Sequence, residues 1–183
     1  MVERRTSEMR WRHWPVAVTI AIGVAGASWP KAQSPLFAWN VSRSVPVGLY
    51  VIIARPPLRG ELAALRLPEP MRTLADARGY LRANAVLIKQ VAALSPGRVC
   101  RHDGIVTING HPAALALTAD TSGRPMPKWS GCHDIDEGRF LVLSDEPNSF
   151  DSRYFGLVDA RQVIGTAASV TVASVLFAAS NKW

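Results

Sequence analysis

From His13 to Pro30 the chain runs for 18 residues without a single Asp, Glu, Lys or Arg. As a helix rising 1.5 Å per residue that stretch reaches about 27 Å, enough to cross a hydrocarbon core of ~30 Å. Trp11, Trp14 and Trp29 stand at its two ends, where amphipathic rings favour the membrane interface. Arg4, Arg5, Arg10 and Arg12 precede it, which predicts a cytoplasmic N-terminus and an exported remainder. We therefore expect a cytoplasmic segment 1–12, a single transmembrane helix over 13–30 and a folded domain over 31–183. The alternative is a cleaved secretory signal, because Ala25-Gly26-Ala27 has the A-x-A form. Both readings export the same C-terminal part.

Export gives the composition its meaning. The net charge of +7 invites a nucleic-acid partner, but no basic stripe with interleaved aromatics appears, and four of the basic residues belong to the N-terminal arm. Nucleic acid is not an expected partner. Two cysteines exclude a disulfide-dense mini-protein and a four-cysteine zinc site. In an oxidising compartment Cys100 and Cys132 are expected to pair, the alternative being two buried free thiols. The loop closed by such a bond would stabilise the fold by ~3–4 kcal/mol on the chain-entropy model.

The exported part reads as mainly β. Leu49–Ala54, Glu61–Leu67, Ala85–Leu94, Gly104–Asn109, Phe140–Leu143 and Val163–Val172 are short apolar runs separated by Gly, Pro, Asn or Asp. Asn109-Gly110 is a hairpin-type turn. One helix is expected over Pro70–Arg78, with Pro at its start and Gly79 at its end. The uncharged tail 162–181 reads as a closing strand because of its Gly, Ser and Thr content, a second membrane helix being the alternative.

Four segments exceed generic strand and turn. In Asn40-Val41-Ser42-Arg43-Ser44-Val45-Pro46-Val47-Gly48-Leu49-Tyr50, Pro46 forces an extended Val45 and Gly48 permits a positive φ, so Ser44 sits beside a rigid bend. Strand 85–94 carries one lysine, Lys89, whose same-face neighbours Leu87 and Val91 are apolar. Desolvation there lowers the lysine pKa and suits it to general-base work. His102, His111 and His133 lack metal-ligand spacing with acidic partners and read as surface residues. In Ser144-Asp145-Glu146-Pro147-Asn148-Ser149-Phe150-Asp151-Ser152-Arg153-Tyr154-Phe155-Gly156, Asp151 and Arg153 share a face if the chain is extended, so an ion pair is expected. Leu58-Arg59-Gly60-Glu61-Leu62 reads as a turn feeding a strand.

In this order the segments resemble type I signal peptidases, membrane-anchored Ser-Lys proteases, and within them the TraF-type conjugative transfer peptidases. The resemblance rests on Ser-x-Pro-x-Gly-Leu-Tyr at Ser44–Tyr50 and on Asp-Ser-Arg-Tyr-Phe-Gly at Asp151–Gly156. It extends to Ala77-Arg78-Gly79-Tyr80-Leu81, Gly97-Arg98-Val99-Cys100, Ile108-Asn109-Gly110 and the stretch Gly123–Cys132. It implies a signal-peptidase-like β-rich domain with a small disulfide-bridged subdomain at about 100–139. It also implies Ser44 as nucleophile, Lys89 as general base, Ser42 with the Ser44 N–H as oxyanion hole, and Ser149 orienting the lysine. Asp151 and Arg153 would form a structural pair behind the site.

No cofactor or metal is expected. The implied partners are a propilin or other exported precursor, the inner membrane, and conjugation or type IV secretion components. The sequence departs from the classical pattern in having Val45 after the nucleophile, Ser144-Asp145-Glu146 where a Gly-Asp-Asn opening is usual, and Glu61 where Asp is commoner. The implied activity is processing of exported precursors by a serine endopeptidase, with pilin cyclisation as an extension of the same chemistry. A general signal peptidase and a non-catalytic assembly subunit are the alternatives.

Overall fold

A computed structural model describes residues 37–170. The expected membrane helix over 13–30 and the tail beyond 170 lie outside the described residues. Among those described, no helix is long and apolar enough to cross a membrane.

The chain forms β1 (Phe37–Asn40), β2 (Gly48–Ile53), β3 (Leu62–Leu65), α1 (Met71–Ala77), β4 (Leu87–Leu94) and β5 (Gly97–His102). There follow β6 (Ile105–Ile108), β7 (His111–Leu115), β8 (Gly131–Ile135), β9 (Arg139–Leu143), α2 (Ser152–Phe155), β10 (Val158–Asp159) and β11 (Val163–Ser169). Seven strands make one antiparallel sheet in the order β1-β2-β11-β3-β4-β9-β10, and four make a second in the order β7-β6-β5-β8. The mainly β class read from the sequence is therefore correct.

The apolar runs became strands because one or both of their faces are buried. Ala63, Ala64 and Leu65 of β3 are fully buried, as expected of an interior strand of the large sheet. On β4, Leu87 and Val91 join Ala63, Leu65, Phe140 and Val142 in the main core, while Ile88 packs on the other face with Tyr50, Ile52 and Ala167. A third cluster joins the sheets: Ala93 of β4 and Leu141 and Leu143 of β9 meet Val99, Val106 and Ile135 of the small sheet. Cys100 and Cys132 face one another on β5 and β8 and form the disulfide, with Cys132 exposed rather than buried.

β11 lies between β2 and β3, so its part of the tail is a strand and not membrane helix. Gly165 marks where it crosses β2 closely: a Cβ there would stand 2.3 Å from the Ile53 carbonyl oxygen. The register of β11 against β3 shifts at the same place. The turn read at 58–62 is present. Gly60 has φ +87°, and Glu61 accepts two bonds from Arg55, at 2.6 and 2.7 Å, and one from the Leu58 N–H at 2.8 Å.

Two motifs with no evident local purpose in the sequence meet in space. Arg78 Nη1 donates to the Pro125 carbonyl at 2.9 Å, and the Tyr80 hydroxyl donates to Asp120. Asp120 also pairs with Arg124 at 2.7 Å, and the Arg124 guanidinium lies over the Tyr80 ring. The Tyr80 hydrogen bond, with help from Arg124, holds the Asp120 carboxyl well below the usual range. The end of α1 is thereby fastened to the segment between β7 and β8. Trp129 of the same segment donates from Nε1 to the Ser152 carbonyl at 2.9 Å.

Candidate active site

A cavity of about 540 Å³ opens on the large sheet and is lined by Ser42, Ser44, Lys89 and Ser149 among others. Three elements bring these residues together. The bend between β1 and β2 carries Ser42 and Ser44, β4 carries Lys89, and the segment after β9 carries Ser149.

The bend is held from several sides. Gly48 has φ +152°, a conformation a side chain would resist, and it pairs with Asn40 at the start of β2. Val45, directly after Ser44, is buried in the sheet core. The Tyr50 hydroxyl donates to the Pro46 carbonyl at 2.7 Å, and the Ser144 hydroxyl donates to the Ser44 carbonyl at 2.7 Å. Ser44 is thus flanked by a buried anchor and two tethered carbonyls, and its hydroxyl faces the cavity. Ser42 Oγ lies 2.8 Å from Ser44 Oγ.

Lys89 is 3% exposed, and its Nζ donates to Ser149 Oγ at 2.7 Å. Burial drives its pKa from 10.5 down to about 8; the Asp151 carboxylate opposes that shift and the Arg153 guanidinium adds to it. An amine of this pKa is neutral in a useful fraction of molecules near neutrality. The face that Lys89 shares with Leu87 and Val91 is buried, as the alternation in the sequence predicts.

Asp151 and Arg153 are both buried and form an ion pair at 2.9 Å. The geometry corrects the expectation of an extended chain. Residues 152–155 form one helical turn, Asp151 is its N-cap and accepts from the Arg153 N–H. The carboxylate also accepts from the Ser144 N–H at 3.1 Å. Arg153 donates to the carbonyls of Ser144, Glu146 and Pro147. One ion pair therefore shapes the whole loop from 144 to 153 that presents Ser149. Ser144, given no role in the sequence reading, is a contact of Ser44. No sequence signal could have found it, because the contact spans 100 residues of chain.

His102, His111 and His133 are exposed. His102 lies beside Cys132, 3.6 Å from Nε2 to Sγ, but both sulfurs are committed to the disulfide.

With this geometry in view, the comparisons with known proteins are specific. Residues 11–172 match the family described as signal peptidase, peptidase S26. The chain is 38% identical over 164 residues to a probable conjugal transfer protein TraF of Sinorhizobium fredii, covering 82% of each chain. It is 32% identical over 136 residues to a plasmid transfer protein TraF of Escherichia coli, covering 68% of this chain and 76% of that one. A signal peptidase I of Leptolyngbya laminosa is 29% identical over 157 residues, 83% of this chain and 73% of the other. The protein belongs to the S26 signal peptidase family, and it has conjugal-transfer TraF proteins among its relatives.

Proposed function

We propose that the protein is a Ser-Lys endopeptidase anchored in a bacterial inner membrane, with its catalytic domain on the periplasmic side. It would process an exported precursor, foremost the propilin of a conjugative transfer or type IV secretion apparatus. The observation that carries this reading is a lysine at 3% exposure on the wall of the cavity that holds Ser44. Burial of an ammonium without function would be a cost with no return.

In the proposed reaction Ser44 Oγ attacks the scissile carbonyl and its proton passes to neutral Lys89 Nζ. Ser149 holds the lysine in place. The Ser44 N–H and the Ser42 hydroxyl receive the oxyanion. The C–N bond then breaks, the leaving amine takes the proton from Lys89, and an ester on Ser44 remains. Water, deprotonated by Lys89, releases the acid and restores Ser44. An amine at the other end of the same chain can attack in place of water, releasing a cyclic product.

The TraF relatives are named for plasmid and conjugal transfer, which favours a precursor belonging to that apparatus as substrate. The signal peptidase I relative favours general secretory precursors, the second reading. The purified protein, with its anchor in detergent, is to be incubated with each precursor class and the products weighed. We expect the pilin precursor to be cut by the wild type and left intact by Ser44→Ala and Lys89→Ala. A product one water lighter than the linear processed chain supports cyclisation, and the linear mass excludes it. Processing that survives either substitution refutes the assignment.

A further inference from the structure

We infer that Asn40 is a positioning residue that holds Ser42 and the nucleophile bend in register for catalysis. This rests on the Ser-Lys reading above. Asn40 is the last residue of β1, and its carboxamide reaches into the bend that follows. Nδ2 lies 2.7 Å from the Ser42 carbonyl, 2.9 Å from that of Val45 and 3.1 Å from that of Pro46. Oδ1 lies 3.2 Å from the Ser42 backbone N–H and 2.9 Å from Ser42 Oγ.

Those partners fix which end of the amide is which. Three carbonyl oxygens can only accept, so the end facing them must be the NH₂. A backbone N–H can only donate, so the end facing it must be the oxygen. The assignment has a consequence for the two serines. Oδ1 has no proton, so the Ser42 hydroxyl donates to it. Ser42 has only one proton, so in the Ser42–Ser44 contact Ser44 is the donor and Ser42 the acceptor. The resting nucleophile proton therefore points to Ser42, while Lys89 Nζ is engaged with Ser149. On substrate binding the Ser42 hydroxyl turns from Oδ1 to the oxyanion, and the Ser44 hydroxyl turns from Ser42 to Lys89. The Ser42 N–H stays on Oδ1 through both states. Asn40 is thus the fixed point about which the Ser42 hydroxyl exchanges partners; no other side chain of that length carries two donors and an acceptor, and Gln, which does, is one methylene longer.

The test uses the full-length protein and an internally quenched peptide with Ala-x-Ala before the scissile bond. Asn40→Ala should lower kcat by about 30-fold or more, in line with the cost of misplacing a site by an ångström, and leave KM within threefold. Asn40→Asp keeps the acceptor, loses the donors and should lie between. Because part of its effect runs through the Ser42 hydroxyl, Asn40→Ala introduced into Ser42→Ala should cost a smaller factor than it does in the wild type. Amide hydrogen exchange at Ser42 reads the clamp without any substrate and should quicken at least tenfold in Asn40→Ala but not in Asn40→Asp. Unchanged exchange at Ser42, a kcat within threefold of wild type, or the same factor in both backgrounds would overturn the inference. A wild-type protein that cuts neither this peptide nor a natural precursor sinks the peptidase reading instead, and the exchange result still decides the role of Asn40.

Discussion

Lys89 is where the demands of folding and of chemistry oppose each other. The unfolded chain holds the lysine proton up to its ordinary pKa of 10.5, whereas the folded protein gives it up near 8. Between those values the unfolded state binds more protons, so stability rises with pH across the window from about 8 to 10.5. Below about 8 the full penalty is present, on the order of 3 kcal/mol. Lys89→Met should therefore raise the stability of the domain near pH 7, and the gain should shrink toward pH 10.5. Denaturant titrations of both proteins at the two pH values measure it; an equal difference at both would show that the lysine is not desolvated. The same shift sets the activity profile. In the proposed reaction only the neutral amine accepts the Ser44 proton, so kcat/KM should climb tenfold per pH unit below about 8 and level off above it. A profile flat from pH 6 to 9 removes Lys89 from general-base work. This residue was legible in the sequence because a single charge in an apolar alternation has few innocent explanations. Asn40 and Ser144 were not: apart from the Ser42 hydroxyl, their partners in the bend are backbone atoms, and no periodicity or spacing records a side chain that reaches a carbonyl.

At the scale of elements, the site is made by loops held against strands. β4 is rigid because β3 and β9 flank it, and the loop after β9 is rigid because Asp151 and Arg153 tie its carbonyls and amides together. Asp151→Ala leaves a buried guanidinium without its partner and should cost about 3–5 kcal/mol of stability. It should also release Ser149 from Lys89, so that activity falls more than stability alone explains. Thermal unfolding and kcat measured on the same sample separate the two, and a variant with native stability would mean that the pair does not shape the loop. On β11, Gly165→Ala drives a Cβ into the Ile53 backbone, which cannot yield as a side chain would. A loss of about 1–3 kcal/mol is expected, and a neutral effect would contradict the close crossing.

The reading of elements from sequence succeeded where an apolar run was long. Strands 49–54, 61–67, 85–94, 104–109, 140–143 and the start of 163–172 are present with ends moved by a residue or two, and the helix after Pro70 is present as Met71–Ala77. β1, β5, β7, β8 and β10 were not anticipated. Each is two to six residues long, carries polar or exposed positions, and owes its conformation to a partner strand more than to its own pattern.

At the scale of the molecule, two sheets share an apolar seam, and a cavity on the large sheet brings Ser44, Lys89 and Ser149 together from positions far apart in the chain. The motifs near 78–81 and 123–132 belong to this level. They fasten α1 to the segment between β7 and β8, which together supply Tyr80, Leu81 and Met126 to the cavity wall, and that purpose is visible only once the chain is folded. In the proposed reaction Ser44 becomes acylated by the precursor with Lys89 as the base. The most direct measurement of this step is the mass of the Ser44-bearing peptide after acid quenching of the reaction during turnover. That peptide should gain the mass of the N-terminal cleavage fragment, taken as its free acid, less one water, and the gain should be absent in Ser44→Ala and strongly diminished in Lys89→Ala. An adduct on another residue, or precursor cleavage undiminished in Ser44→Ala, would contradict it.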